Sequence, residues 1–274
     1  MAGREMMLLL DLDQDHWRRV FGLSGPLSLA LLELVGLDAT QAAEYLTPRE
    51  LDHFALYTHP KRKLEWLGGR IAAKRTVMSM ASLHHGDAVP PWLALEIATD
   101  PDGRPFIRAV NYPGRTMPDI SISHSRGVAA AMAAGEGRCG VDIQKVTPSV
   151  IRVCERFAGG AELTILNTLS GDWSEAARLT LLWAAKEALK KAIGAKRLPG
   201  FLGIRLIETH PDNHAPIGDC FVFHFTLPDG VTHQSQKNAV SVVVLFQEGY
   251  GLAFTGVAKQ YIKEGVEPLT PEYP

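Results

Sequence analysis

The pattern of apolar and polar positions in the first sixty residues predicts one strand and two helices. Residues 6–10 form a short apolar run that stops at acidic residues, as expected of a strand. Residues 27–35 are almost entirely apolar and predict a helix. A second helix is predicted to begin after Thr47, because Thr47 can cap it, Pro48 suits its first position and Glu50 completes a capping box.

Two longer stretches have helical periodicity, and alternating segments lie between and after them. Residues 61–82 carry an approximate apolar stripe with basic side chains on another side, and residues 172–194 are rich in alanine and leucine. Residues 119–125 alternate apolar and polar side chains and predict a strand. Further strands are predicted at residues 92–98, 105–107, 128–134, 140–144, 204–208, 220–227, 239–247 and 252–258, and a helical stretch at residues 149–157.

The order of these elements favours an α+β fold. Each half of the chain offers one long helix and several antiparallel strands rather than repeated βαβ units. No repeat is visible in the sequence itself. The element order suggests two similar halves, residues 1–137 and 138–260, which meet near the glycine-containing turn at residues 135–140, followed by a tail at residues 261–274.

Composition narrows the class of protein. Hydrophobic residues make up 46% and charged residues 21%, as in ordinary globular proteins. A net charge of −2 gives no electrostatic reason to expect nucleic acid or an anionic membrane as partner. Three scattered cysteines argue against a disulfide framework, and no apolar run is long enough for a signal peptide or a membrane span. We therefore expect a cytoplasmic protein.

Two short segments carry the candidate chemistry. Asp142 and Gln144 share one face of a predicted strand, because strand side chains alternate. Trp183, Glu187 and Lys191 share one stripe of the second long helix, because they recur every four residues. Carboxylate and amide oxygens beside a lysine suit a hard cation shared with a phosphate, and Mg²⁺ is such a cation.

The same segments resemble the signature of the 4′-phosphopantetheinyl transferases, in their larger, single-chain, pseudo-dimeric (surfactin-synthetase-activating) class. That signature reads G-[VI]-D-x-E followed by W-x-x-K-E-x-x-x-K. The resemblance implies two α+β halves, each a long helix packed on a mainly antiparallel sheet, related by a pseudo-twofold axis with the active site at their interface. This chain departs from the signature at Gln144, and it matches at Gly140, Asp142, Trp183, Lys186, Glu187 and Lys191.

The resemblance also implies a reaction and its residues. The 4′-phosphopantetheine group of coenzyme A, the substrate, would pass to a serine of an apo acyl or peptidyl carrier protein, releasing adenosine 3′,5′-bisphosphate. Asp142, Gln144 and Glu187 would bind Mg²⁺, or Mn²⁺ in its place, and Glu187 would also accept the serine proton. Lys186 and Lys191 would face the phosphates. The enzyme would be a monomer.

Three weaker segments resemble the coenzyme A contacts of the same family. The S-I-S-H-S segment contains Ser123 and His124, and the resemblance implies that this histidine contacts a coenzyme A phosphate. A K-R-x-x-E-W-x-x-G-R segment implies that Arg62 and Arg70 bind the nucleotide 3′-phosphate, and a G-R-P turn brings Arg104 near the nucleotide. Without the resemblance, the histidine reads equally well as a strand-end residue and the arginines as a solvated helix face.

Other interpretations remain open at the level of sequence. Gln144 carries no charge, so it can bind the metal weakly or merely form a hydrogen bond within its sheet. A non-catalytic relative that binds coenzyme A or a carrier protein is the main alternative function. A magnesium-dependent nuclease or phosphatase is less favoured, because it requires more acidic ligands and a basic surface.

Overall fold

A computed structural model describes residues 7–83, 89–110, 116–171, 173–194, 200–214, 217–228 and 239–259 of the 274-residue chain. Every described strand pair is antiparallel. The first sheet has the order β1-β2-β6-β5. Its strands are β1 (Met7–Leu10), β2 (Leu27–Glu33), β5 (Asp119–Ser125) and β6 (Val128–Ala134).

The second sheet has five strands in the order β7-β11-β10-β9-β8, and a separate hairpin pairs β3 with β4. Strand β7, at one edge of the five-stranded sheet, follows β6 in the chain after a short turn. The hairpin strands are β3 (Leu95–Thr99) and β4 (Pro105–Ala109), and the sheet strands are β7 (Arg138–Lys145), β8 (Arg205–Pro211), β9 (Asp219–Thr226), β10 (Ala239–Gln247) and β11 (Tyr250–Val257).

One long helix packs on each sheet. The helices are α1 (Gln14–Phe21), α2 (Ala42–Tyr45), α3 (Pro48–Ala55), α4 (Pro60–Leu83), α5 (Gly160–Leu166) and α6 (Glu175–Ile193), with 3₁₀ helices at Ala39–Gln41, Trp92–Ala94, Pro148–Arg156 and Phe201–Gly203. Helix α4 lies against β2, β5 and β6, and α6 lies against β7, β10 and β11. None of the helices described is long and apolar enough to cross a membrane. The predicted α+β class is therefore confirmed.

The helix predicted at residues 27–35 is wrong, because this segment forms strand β2. β2 is an inner strand that pairs with β1 on one side and β6 on the other. Both of its faces are largely buried, so its side chains do not alternate between apolar and polar. A short continuous apolar run cannot be assigned to helix or strand by periodicity alone.

Two further differences concern short helices. The stretch predicted as helical at residues 149–157 is a 3₁₀ helix, Pro148–Arg156. Helices α1 and α5 were not predicted, because each has only about two turns, too few to show a helical period. The capping box of α3 is confirmed: Glu50 N donates to Thr47 Oγ1 over 3.3 Å, and Thr47 N donates to Glu50 Oε2 over 2.9 Å.

The same order of elements occurs twice along the chain. Apart from the one-turn helix α2 and the 3₁₀ helices, strand β2 is followed by α3, α4, the β3–β4 hairpin and then β5 and β6. Strand β7 is followed by α5, α6, β8 and β9, and then β10 and β11. The sheet neighbours correspond as well, β2-β6-β5 in one half and β7-β11-β10 in the other. The tail predicted at residues 261–274 lies outside the described residues.

Candidate functional site

Strands β5 and β7 belong to different sheets and are joined by serine hydroxyls. Successive serines on one face of β5 accept hydrogen bonds from alternate backbone N–H groups of β7 at 3.0–3.3 Å. The junction therefore follows from the alternating S-I-S-H-S sequence, which points every serine to β7. The pairs are Ser121 with Val141 N, Ser123 with Ile143 N and Ser125 with Lys145 N.

Asp142 lies buried at this junction and accepts three hydrogen bonds. Its Oδ1 accepts from Ser123 Oγ at 2.7 Å and from Lys191 Nζ at 2.8 Å. Its Oδ2 accepts from Gln144 Nε2 at 2.9 Å. A carboxylate oxygen has two lone pairs, so Oδ2, which accepts one hydrogen bond from the described residues, has a second lone pair that can serve a further ligand. The predicted catalytic residues Asp142 and Lys191 are thus brought together, and Ser123 is committed to Asp142.

Lys191 connects helix α6 to both junction strands. Besides Asp142, its ammonium donates to Val141 O at 2.9 Å and to Ile122 O at 3.3 Å. The side chain is partly exposed, at 30%. A cation fixed at the junction by three oxygens, with one side open, can face an anion that enters between the two sheets.

Gly140 permits the close approach of β7 to α6. A Cβ atom at this position would lie 1.9 Å from Ala188 O and 2.9 Å from Ala192 N. Any side chain would therefore push the helix away from the strand. Because α6 carries Glu187 and β7 carries Asp142, this contact sets how near the two carboxylates can come.

Glu187 is half-buried on α6, one turn before Lys191. Burial, and next the charge of Asp142, raise the pKa of the Glu187 carboxyl above its usual value, although Lys190 and Lys191 oppose the shift. Its carboxylate accepts no hydrogen bond from any other described residue. Two carboxylates that repel each other in a sheltered site create a position where a divalent cation is favoured.

The residues at this position fit Mg²⁺, which prefers oxygen ligands and keeps several waters. Asp142 and Glu187 supply two carboxylates, and the Oε1 atom of Gln144 supplies a neutral oxygen. Within the described ranges, no group of three or more His, Cys, Asp or Glu side chains is arranged to hold a metal ion. The acidic part of the site is therefore a pair, and Gln144 as a ligand stays a prediction.

Two of the residues predicted to hold the nucleotide are His124, on β5, and Arg62, on α4. His124 is 47% exposed, and its Nδ1 lies 3.6 Å from Glu65 Oε2 on α4. Arg62 is exposed on the same helix, three residues before Glu65, and Lys61 Nζ lies 3.8 Å from Glu65 Oε1. His124 and Arg62 therefore share one open surface, next in sequence to the Ser123–Asp142 contact.

Arg70 lies two turns further along α4. Its guanidinium carbon lies 4.2 Å from the centre of the Trp66 ring, a cation–π arrangement. Its Nε is buried, and no hydrogen-bond acceptor for it exists among the described residues. Burial lowers the pKa of this guanidinium, with Glu50 as the main opposing charge. An incoming anion would supply the missing acceptor.

Arg104, which is predicted to lie near the nucleotide, is held by protein atoms at the end of α6. Its guanidinium forms a salt bridge with Asp119 and donates to Lys191 O and, at 3.1 Å, to Cys139 O. Arg104 thus holds the end of α6 to the start of β5 and β7. Its nitrogens are engaged by protein atoms, so its contribution to the site is to fix α6.

Lys186 lies in the core of the second half, and the structure does not bring it together with Asp142, Glu187 and Lys191 at the junction. Its side chain has no exposed surface, and its Nζ lies 2.7 Å from Glu162 Oε1. It also donates to Phe157 O at 2.6 Å and to Phe201 O at 3.1 Å. Residues adjacent on a helix point about 100° apart, so Lys186 faces the core when Glu187 faces the junction.

Several functional contacts were not predicted from the sequence. Glu65, which faces His124, lies within the K-R-x-x-E-W-x-x-G-R segment but was given no role there, and Glu162, which pairs with Lys186, lies in no motif. The capping position of Glu162, three residues after Gly159, is a signal that was available. The regular spacing of the three β5 serines was also available, but the sequence does not reveal which strand they contact.

Comparison with protein-family models identifies a match over residues 138–243 to the 4′-phosphopantetheinyl transferase superfamily. This segment contains β7, α5 and α6, and with them Asp142, Glu187 and Lys191. The resemblance predicted from the two signature segments is therefore confirmed for this part of the chain. Comparison with curated protein sequences gave no match.

Several solved structures match part of the chain. The holo-ACP-synthase from Plasmodium yoelii is 17% identical over 39% of this chain and 91% of its own, with a TM-score of 0.34. The holo-[acyl-carrier-protein] synthase from Neisseria meningitidis is 18% identical over 39% of this chain and 94% of its own, with a TM-score of 0.32. The apo-ACPS structure from Chronobacterium ammoiniagenes is 20% identical over 40% of this chain and 95% of its own, with a TM-score of 0.35.

Proposed function

We propose that this protein transfers the 4′-phosphopantetheine group of coenzyme A to a serine of an apo carrier protein, acyl or peptidyl. Adenosine 3′,5′-bisphosphate is the second product. The observation that carries the proposal is the convergence of Asp142, Glu187 and Lys191 at one junction. All three residues lie within the segment that matches the transferase superfamily.

Each residue of the junction has a role in this reaction. Glu187, whose carboxyl pKa is raised by burial and by Asp142, accepts the proton of the carrier serine as its oxygen attacks the β-phosphate. Lys191 faces the pyrophosphate and, together with Ser123, fixes Asp142. Asp142, Glu187 and the oxygen of Gln144 would hold Mg²⁺, or Mn²⁺ in its place. When bound, the metal neutralises negative charge on the phosphates.

The nucleotide end of coenzyme A belongs on the other side of β5. Arg70 supplies a buried donor without a protein acceptor among the described residues, and Arg62 and His124 supply exposed ones. Arginine suits a terminal phosphate because its planar guanidinium offers several donors in a fixed geometry. Arg104 supports the site indirectly, because it holds the end of α6 in place.

We further propose that the protein is a cytoplasmic monomer of the larger single-chain class. Residues 1–137 and 138–260 would be its two halves, related by a pseudo-twofold axis with the active site between them. The repeated order of elements supports this division. So does the junction of β5, from the first half, with β7, from the second.

The alternative is a relative that binds coenzyme A or a carrier protein without catalysis. Gln144 favours it, because an amide replaces a third carboxylate. The half-buried carboxylate of Glu187 argues against it, because it accepts no hydrogen bond from any other described residue and its burial has a cost that binding alone does not require.

Intact-mass spectrometry tests the proposal. Purified protein, coenzyme A and Mg²⁺ are mixed with a panel of apo fatty acid, polyketide and peptide carrier proteins. At least one carrier should gain about 340 Da, the mass of one phosphopantetheine group, and a metal chelator should prevent the gain. Absence of any gain, with folded protein that binds coenzyme A in calorimetry, would favour the non-catalytic alternative.

A further inference from the structure

The buried ion pair between Lys186 and Glu162 connects four elements of the second half. The three hydrogens of an ammonium can serve three acceptors, and Lys186 has three: Glu162 Oε1, Phe157 O and Phe201 O. Glu162 in turn accepts from Leu206 N at 2.8 Å, and its Oε2 accepts from Gly159 N at 2.8 Å. One pair thus fixes α6 to the start of α5, to the start of β8 and to the 3₁₀ helix at Phe201.

The first half contains the same arrangement. Lys74 Nζ on α4 lies 2.6 Å from Glu50 Oε2 and donates to Tyr45 O at 2.6 Å. Glu50 accepts from Thr47 N at 2.9 Å through Oε2 and from Ile97 N at 2.9 Å through Oε1. Each glutamate therefore caps its own short helix, receives a strand N–H and pairs with a lysine of the long helix.

The two arrangements also coincide in sequence spacing. The lysine and the carbonyl it binds are 29 residues apart in both halves, and each glutamate lies three residues after the N–H that it caps. Two alanines precede each lysine. Neither lysine side chain has any exposed surface, and burial lowers the pKa of both ammonium groups while the paired glutamate opposes the shift.

The residue that follows the buried lysine differs between the two halves. Glu187 follows Lys186 and is half-buried near Asp142, whereas Arg75 follows Lys74 and is exposed. The lysine–glutamate pair is therefore present without an acidic site beside it.

We infer that Glu162 and Lys186 are positioning residues, which hold the turn of α6 that carries Glu187, and that neither contacts coenzyme A. The inference rests on the proposed function, because it concerns the geometry of that site. Trp183, one turn before Glu187, packs with ring centroids 5.0 Å from Phe157 and 4.9 Å from Phe201. Lys186 donates hydrogen bonds to the carbonyls of these two phenylalanines. A substitution that breaks the ion pair therefore also alters the packing of Trp183, on the turn of α6 that carries Glu187.

A double substitution tests the inference without leaving a buried charge unpaired. Lys186→Met with Glu162→Gln removes both charges, and Lys74→Met with Glu50→Gln is the matched control in the other half. Each single lysine substitution should lower the melting temperature more than its double variant, because a lone buried glutamate is costlier than a neutral pair. Wild-type transfer and coenzyme A binding are measured first, so that a failure of the proposed function is recognised separately.

We expect the Lys186/Glu162 double variant to bind coenzyme A in calorimetry with a Kd within about threefold of wild type while its kcat falls by about tenfold or more. The Lys74/Glu50 double variant should retain kcat within about threefold. A tenfold weaker Kd in the folded Lys186/Glu162 variant would mean that Lys186 contacts the substrate and would overturn the inference. An equal loss of kcat in both double variants, or a loss in neither, would overturn the positioning role.

Discussion

The ammonium of Lys191 lies 2.8 Å from Oδ1 of Asp142, and this pair joins the long helix α6 to strand β7. The contact is only partly sheltered, since 30% of the lysine side chain is exposed against 4% of the aspartate side chain. The lysine therefore has both a fixed partner and an open side. Exposure distinguishes it from Lys186, whose ammonium also has three acceptors but whose side chain has no exposed surface.

Replacing Lys191 should stop the reaction. Lys191→Met removes the cation at the junction and leaves Asp142 without its charged partner, so kcat/KM for transfer should fall by about a hundredfold or more. Lys190→Met is the matched control, because Lys190 Nζ lies over the Phe201 ring at 4.7 Å, away from Asp142. It should stay within about threefold of wild type. Equal activities in the two variants would remove Lys191 from the site.

Arg70 should act on coenzyme A binding rather than on the chemical step. Arg70→Ala removes a buried donor that has no acceptor among the described residues, so KM for coenzyme A should rise by about tenfold with little change in kcat. Arg75→Ala, an exposed arginine five residues later on the same helix, should leave both constants near wild type. A fall in kcat alone for Arg70→Ala would contradict a role in ground-state binding.

Gln144 is the departure from the family signature, and its charge can be changed without changing its size. If its side chain faces the metal, Gln144→Glu adds a third anionic ligand and should tighten Mg²⁺ binding by about 1 kcal/mol or more. The half-saturating Mg²⁺ concentration should fall, while kcat stays level or drops because the added charge opposes the pyrophosphate. Gln144→Leu, which loses the bond to Asp142 but adds no charge, is the control. An unchanged Mg²⁺ titration in Gln144→Glu would mean that this residue does not bind the metal.

Gly140 should be intolerant of any side chain. Gly140→Ala forces a Cβ to within 1.9 Å of Ala188 O, so β7 and α6 must separate, at a cost of about 1–3 kcal/mol in the free energy of unfolding. Gly160→Ala is the control, because a Cβ atom added there, at the start of α5, would have no neighbouring atom within 4 Å among the described residues. Its stability should change by less than about 0.5 kcal/mol. Equal stability of the two variants, measured by urea unfolding, would contradict the close packing.

The sequence indicated three residues that the structure brings together, but it misassigned one strand of the first half. Asp142, Glu187 and Lys191 were found because strand and helix periodicities place them on single faces, and the structure brings those faces together. Strand β2 was misassigned because a strand buried on both faces has no alternation. Periodicity records which positions are apolar, not how many neighbours cover them.

Lys186 and the repeat between the halves show a second limit. Lys186 and Glu187 are adjacent in sequence, and only the packing of α6 decides which one faces the junction. The repeat is carried by a few buried residues, such as Lys74 and Lys186, at equal spacing from their partners. The residues between them differ, so the correspondence becomes visible only when the hydrogen bonds are compared.

We propose that Glu187 is required for transfer of the phosphopantetheine group but not for the binding of coenzyme A. Glu187→Gln keeps the size of the side chain but removes the base and one anionic ligand. Intact-mass analysis of an apo carrier protein, with calorimetry of coenzyme A on the same variant, tests this directly. We expect no addition of the roughly 340 Da group under conditions in which the wild type modifies the carrier completely, and a Kd for coenzyme A within about tenfold of wild type. Normal modification of the carrier by Glu187→Gln would contradict the account.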